Sequence, residues 1–157
     1  MLLKLTEELP INATVPDVWK LLRDTARLTA LLPGVESVAS LQEEAREAYT
    51  AIVTDRIGPF KITMNVEVRI TETVEPSLLK AALKGADSMG LNRMTGSLQL
   101  VLTPSLSGTQ MQFEAAIEIL GKLATLGTVP IRRRTTQVFT EFAKNIQGQF
   151  VANSDCE

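Results

Sequence analysis

Histidine is missing from all 157 residues, and cysteine occurs once, at Cys156. These absences remove whole classes of chemistry. Zinc sites built from Cys and His, Ser-His-Asp triads and Cys-His pairs cannot be assembled. One thiol cannot close a disulfide within the chain, and its scarcity suits a reducing compartment. Aromatic residues are few, with one Trp, one Tyr and five Phe. No apolar run approaches the roughly 20 residues that span a bilayer. The opening stretch, Met1-Leu2-Leu3-Lys4-Leu5-Thr6-Glu7-Glu8, carries charges where a secretory leader needs an apolar core. Neither sign of charge dominates. A net charge of −2 argues against a general affinity for nucleic acid or anionic lipid, with Arg132-Arg133-Arg134 as the local exception. The chain reads as a soluble, cytoplasmic protein.

What is present is period. The length suits one domain, placed at residues 1–150 and followed by a short frayed tail at 151–157. Leu3, Leu5, Leu9 and Ile11 share one parity of a strand over residues 2–12, and Glu7 falls on that same apolar parity. Thr14 is placed to cap a helix whose first turn holds Pro16 and Asp17. Asp24-Thr25 ends that helix and caps a second, Ala26–Leu32, which Pro33-Gly34 stops. Residues 35–42 and 46–54 read as a hairpin around Glu43-Glu44, with the next turn at Gly58-Pro59. Ile62, Met64, Val66, Val68 and Ile70 then face one way, while Lys61, Thr63, Asn65, Glu67 and Arg69 face the other. Further strands follow at 78–86, from 92 to Thr103-Pro104, and from Ser107-Gly108 onward through Met111, Phe113, Ala115, Ile117 and Ile119. After Gly121 the period becomes helical, with Val138, Phe139, Phe142, Ile146 and Phe150 on one stripe and Leu123 and Leu126 upstream. Pro130 lies within it, so a kink or break is expected there.

The order strand, two short helices, six strands, long helix defines an α+β fold. Hairpin links make the strands an antiparallel meander, and its apolar face requires a cover. The terminal helix, about 40 Å if straight over 28 residues, is the element long enough. A curved sheet around such a helix leaves room for a ligand hollow.

Several strings, in this order, resemble the carbon monoxide dehydrogenase G-subunit (CoxG) family of the START-like, Bet v 1-like helix-grip superfamily, which also holds polyketide cyclase-like proteins. They are Val15-Pro16-Asp17-Val18-Trp19 with Leu21-Leu22-Arg23-Asp24, Leu32-Pro33-Gly34-Val35-Glu36-Ser37, Ile57-Gly58-Pro59-Phe60-Lys61, Gly96-Ser97-Leu98-Gln99-Leu100 with Leu102-Thr103-Pro104, and Gly121-Lys122-Leu123-Ala124-Thr125-Leu126-Gly127. The resemblance implies a seven-stranded curved sheet gripping the terminal helix, with a deep cavity between them. It implies an accessory, non-catalytic protein that needs no cofactor and partners a carbon monoxide dehydrogenase-type molybdenum hydroxylase. A bound quinone or lipid, and a place either in the cytoplasm or peripheral on the inner face of the membrane, follow from the same likeness. Val129-Pro130-Ile131 departs from the family's smoother helix, and the C-terminal extension of some relatives has almost no counterpart here.

The candidate cavity residues are Glu7, Leu28, Leu32, Met64, Val66, Met94, Leu98, Leu100, Met111, Phe113, Leu123, Leu126, Phe139 and Phe142. Met89 joins Met64, Met94 and Met111 as pliable thioether chains suited to a flexible apolar ligand. Leu31, Pro33, Arg132, Arg133 and Arg134 are candidates for a membrane or partner contact. Each has a plainer reading: leucines closing one end of the core, methionines filling it, arginines on a solvated face, Arg23 as a surface charge, and Glu7 turned outward by a bulge or by the strand's exposed end. Glu7, if its register holds, points a carboxylate into apolar space, where burial raises the pKa of such a group. An enzyme of the cyclase type would draw its acid and base from Glu7, Tyr49, Asp87 and Arg93. A module with a filled core and no ligand is the third reading.

Overall fold

The computed structural model describes residues 1–43, 46–57 and 59–150, with the backbone alone at 41–43 and 46. The hairpin tip expected at Glu44, the turn expected at Gly58, and the tail 151–157 with Cys156 lie outside the described residues.

The strands are β1 (Leu2–Ile11), β2 (Val35–Glu43), β3 (Arg46–Ile57), β4 (Phe60–Val74), β5 (Leu78–Ala86), β6 (Asn92–Ser105) and β7 (Gly108–Gly121). They form one curved antiparallel sheet in the spatial order β1-β7-β6-β5-β4-β3-β2. Consecutive strands from β2 to β7 are neighbours, as hairpin links require. β1 closes the order by pairing with β7, Leu3 opposite Ile117 and Leu9 opposite Met111.

Two short helices, α1 (Val15–Arg23) and α2 (Thr25–Ala30), follow β1. Thr14 holds the extended N-cap backbone of α1 without a side-chain bond, and Pro16 and Asp17 occupy the first turn. Asp24 serves both helices. Its N–H donates to Leu21 O at 3.1 Å, and its carboxylate accepts from the Arg27 N–H at 3.3 Å. Val18, Trp19, Leu21 and Leu22 are buried, which fixes α1 on the core. Gly34 then turns the chain into β2 with φ +84°. Its carbonyl accepts from Thr54 N at 2.9 Å, and a Cβ on it would stand 2.3 Å from Thr54 O. Only glycine satisfies both the angle and the approach.

The terminal helical region is not one 28-residue rod. A 3₁₀ segment, Lys122–Leu126, is followed by Gly127 at φ +89° and then by α3 (Thr128–Gly148), 21 residues and about 31 Å long. The break lies at Gly127. Pro130 sits in the first turn of α3, where no backbone N–H is required, so it starts the helix instead of kinking it.

Inward-facing positions of the sheet build the core. Leu3, Ile11, Leu100, Met111 and Phe113 have no exposure, and Phe142 and Ile146 of α3 meet them with 1% and 0%. Phe113, Phe139 and Phe142 form a ring cluster with centroids 5.5–6.5 Å apart. Edge-to-face and tilted contacts of this kind add to the burial gained. α3 thus leans on the β1–β7 side of the sheet.

Replacing Gly34 by Ala should cost about 2 kcal/mol of unfolding free energy, from backbone strain and the Thr54 clash. Gly148→Ala, within α3 and with nothing inside 4 Å of the added Cβ, should be neutral or stabilising by about 0.5 kcal/mol. Urea denaturation of the two variants checks the contrast.

Candidate functional site

The inner face is covered unevenly. On the β1–β7 side its apolar residues are buried, apart from the half-buried Leu5. On the other side Val35, Val53, Ile62, Met64 and Met94 are half-buried, as are Leu31, Leu32 and Pro33 before β2 and Leu126 before α3. Strand register lines up Val35, Val53 and Met64 across β2, β3 and β4. Met94 stands opposite Gly85, whose missing side chain is flanked by Val66 and by the Met94 methyl. The result is an apolar rim drawn from several elements, where α3 meets β3 only lightly.

Three carboxylates lie on the inward parity, and each is met by a helix. Glu7 stands opposite Phe113 in an unbroken register, so the proposed bulge is absent. Half-buried, its Oε2 accepts from Thr140 Oγ1 of α3 at 3.0 Å. Glu47 pairs with Arg23 of α1. Asp55 accepts from Arg134 of α3, from Nε at 3.0 Å and from Nη2 at 2.8 Å. This bidentate contact holds the Arg134 guanidinium protonated, pushing its pKa still further above the ordinary range. Glu47 and Asp55 mark the ends of an inner strip of β3, with Tyr49, Ala51 and Val53 between them. Their partners opposite are Val68, Val66 and Met64.

The structure separates the candidate residues into groups. Leu32, Met64, Met94 and Leu126 sit at the rim, with Val66 behind them at 6% exposure. Leu28, Leu98, Leu100, Leu123, Met111, Phe113, Phe139 and Phe142 are packed in the core. Leu31 and Leu32 pack against that core while staying half-buried, and Leu31 O accepts from Asn145 Nδ2 of α3 at 2.8 Å. Met89 is corrected: 78% exposed on the β5–β6 turn, it joins no inner cluster. Arg23, read as a surface charge, stays about a third exposed and is ion-paired with Glu47. Arg132 and Arg133 are exposed, while Arg134 is turned to Asp55. Val35, Val53, Ile62, Glu47 and Asp55 were missed as site residues. The signal for the two acids was present, since both interrupt the apolar parity of β3.

The four acid–base candidates are dispersed. Glu7 lies under α3 and Tyr49 on β3, while Arg93 projects from the outer face opposite Leu120. Asp87 clasps the β5–β6 turn, accepting from Leu91 N at 2.8 Å and Asn92 Nδ2 at 2.9 Å. Desolvation pushes the Asp87 carboxyl up, but hydrogen bonds from the Asn92 side chain and from the N–H groups of Leu91, Asn92 and Gly90 together hold it below its ordinary 3.8. The outer face carries an open groove of about 900 Å³ lined by Thr50, Asn65, Glu67, Lys84 and Arg93 together with the apolar Ile52 and Leu120, and it also touches Met64 and Met94 of the rim. Among the described residues, no cluster of acidic or cysteine side chains is suited to a metal ion, and no helix is long and apolar enough to cross a membrane.

A curved seven-stranded sheet gripping a terminal helix, with two short helices after the first strand, defines a START-like, Bet v 1-like protein. The family model for CoxG, the carbon monoxide dehydrogenase G-subunit, matches residues 8–151, and the chain belongs to that family. Among solved structures, a conserved protein from Geobacillus kaustophilus superimposes with a TM-score of 0.81 at 23% identity, over 94% of this chain and 95% of that one. A START superfamily protein from Mycobacterium smegmatis gives 0.68 at 11% identity, covering 95% and 96%. The di-domain ARO/CYC protein BexL of the BE-7585A biosynthetic pathway gives 0.64 at 14% identity, covering 97% of this chain and 51% of BexL. These likenesses carry the fold. No curated protein matches in sequence.

Two measurements probe this geometry. With both partners about a third exposed, a double-mutant cycle on Arg134→Ala and Asp55→Ala should give a coupling of roughly 0.5–1 kcal/mol that shrinks in high salt. Because the Asp87 pKa is depressed in the folded state, its contribution is present above its ordinary pKa and lost as pH falls through the lower folded value. The protection factor of the Leu91 amide, its exchange rate relative to that of an unstructured peptide at the same pH, should therefore fall selectively in acid, and Asp87→Asn should abolish that pH dependence.

Proposed function

We propose that this protein is a non-catalytic carrier of an apolar, lipid- or quinone-like molecule that serves a carbon monoxide dehydrogenase-type molybdenum hydroxylase. Assembly, membrane recruitment or quinone coupling of that enzyme is the role the family assignment supports. The observation that carries the ligand reading is the rim. A soluble fold gains roughly 25 cal/mol for each Å² of apolar surface removed from water. Leaving Leu31, Leu32, Val35, Val53, Ile62, Met64, Met94 and Leu126 together at half burial forgoes that gain at one place. An apolar guest seated between β3 and α3 would recover it, and the unbranched Met64 and Met94 would adapt to its shape. Ligands of this type need few polar contacts, in keeping with a site whose walls are aliphatic.

Arg132 and Arg133, exposed in the first turns of α3, supply positive charge for a peripheral contact with an acidic partner or membrane surface. A cyclase-like enzyme is the second reading, favoured by the BexL likeness. Against it stands the dispersal of Glu7, Tyr49, Asp87 and Arg93, since general acid–base work needs its groups within hydrogen-bond reach of one substrate.

Solvent extracts of the protein purified from its own host should contain one lipid or quinone species at near-equimolar amount by mass spectrometry. A Met64→Glu variant, carrying a charge at the rim, should lose at least tenfold of it while keeping its circular dichroism. Extracts no richer than those of an unrelated protein from the same cells would count against the carrier reading.

A further inference from the structure

Among the described residues, two buried side-chain polar atoms have no hydrogen-bond partner: Arg23 Nη1 and Thr25 Oγ1. They belong to residues two apart, at the junction of α1 and α2. Thr25 is 2% exposed, so no open solvent serves its hydroxyl. Folded proteins pair nearly all their buried donors, and an unpaired one calls for a reason. Here both exceptions fall within one three-residue stretch, where α1 gives way to α2. Beside them, Glu47 holds the other end of the Arg23 guanidinium, and Tyr49 follows Glu47 on the same inward parity of β3. From Glu47 the apolar strip runs through Ala51 to Val53 at the rim, about 20 Å at 3.3 Å per residue.

We infer that the α1–α2 junction is the polar subsite for the carried molecule, taking an uncharged carbonyl-type oxygen on Arg23 and Thr25. This rests on the carrier reading above and names the chemistry of its ligand. Arg23 only donates, and the Thr25 hydroxyl is free to donate, so the ligand atom must be an acceptor. Its charge follows from Glu47. That carboxylate already balances the guanidinium, and a second carboxylate brought to Arg23 would be repelled by the first and would lose its own hydration. A ketone, ester or quinone oxygen adds an acceptor without adding a charge. The body of the ligand then lies along the β3 strip toward Met64, with its oxygen anchored at the opposite end from the rim.

The test compares 2-undecanone, undecanoate and undecane, chains of equal length that differ in one terminal group. Binding is read by displacement of an apolar dye and by the fluorescence of Trp19, the sole tryptophan, one helical turn before Arg23. Wild-type protein should bind the ketone about tenfold more tightly than either other probe. Arg23→Met should erase that preference. Thr25→Val, which keeps the shape and removes an unpaired hydroxyl, should weaken it several-fold with unchanged or higher thermal stability. Thr25→Val therefore separates ligand recognition from folding, even if Arg23→Met proves unstable. Decylubiquinone and methyl decanoate, run side by side, distinguish a quinone from an ester as the source of the oxygen. Equal affinity for all three probes, tighter binding of undecanoate, or a ketone preference that survives both substitutions would overturn the subsite and leave the carrier reading standing. If no probe binds the wild-type chain, both readings fall together.

Discussion

One helix cannot cover seven strands. At about 4.8 Å between neighbours the sheet is roughly 29 Å wide before curvature, whereas a helix with its side chains is about 10 Å across. The sheet must bend around α3, and α3 must choose a side. It chooses β1 and β7, where Phe113, Phe139 and Phe142 interlock and Met111, Leu100 and Leu3 lose all exposure. The remaining width falls to α1, α2 and the 3₁₀ segment, which are too short to seal it. The half-buried rim at Val53, Met64 and Leu126 is the geometrical remainder of that mismatch. A family fold whose covering element is narrower than its sheet is predisposed to carry a guest.

The helices are not held by apolar packing alone. Glu7, Glu47 and Asp55 each break an apolar alternation, and each meets a donor from a helix: Thr140, Arg23 and Arg134. Partly buried carboxylates tolerate this only when paired, so each contact fixes a helix at a particular height on the sheet. The amide of Asn145 on Leu31 O and that of Gln147 on Pro10 O, at 2.8 and 2.7 Å, extend the same principle along α3. Directional bonds therefore set the position of a cover whose apolar contacts, being non-directional, would accept several. The Pro33-Gly34 turn contributes likewise, since Gly34 brings the α2 end against Thr54 with no side chain between them.

Most of the architecture was legible because strand alternation and helical stripes leave different periods in the sequence, and hairpin links leave few topologies. The terminal helix was misread at one point. A proline inside an apolar stripe looks like a break, yet Pro130 initiates α3 because Gly127, three residues earlier, takes the left-handed backbone. Glu7 carried a true signal: its parity said inward, and the register keeps it there opposite Phe113. Met89 misled because side-chain type alone suggested a place that the β5–β6 turn does not give it.

By itself the sequence determined the order of elements, the antiparallel meander, the inward set on each strand and, through its ordered motif strings, the family. Those properties are local or nearly so, written in periods of two and of about three and a half residues. Tertiary structure alone decided which inward residues are packed solid and which stand at the rim, because that depends on where α3 rests across the sheet. It also decided the partners of Glu47 and Asp55, supplied from α1 and α3 at long sequence distance, and left Arg23 Nη1 and Thr25 Oγ1 buried without one. Burial and pairing are relations between elements, and no stretch of chain encodes them until the cover has been laid on the sheet.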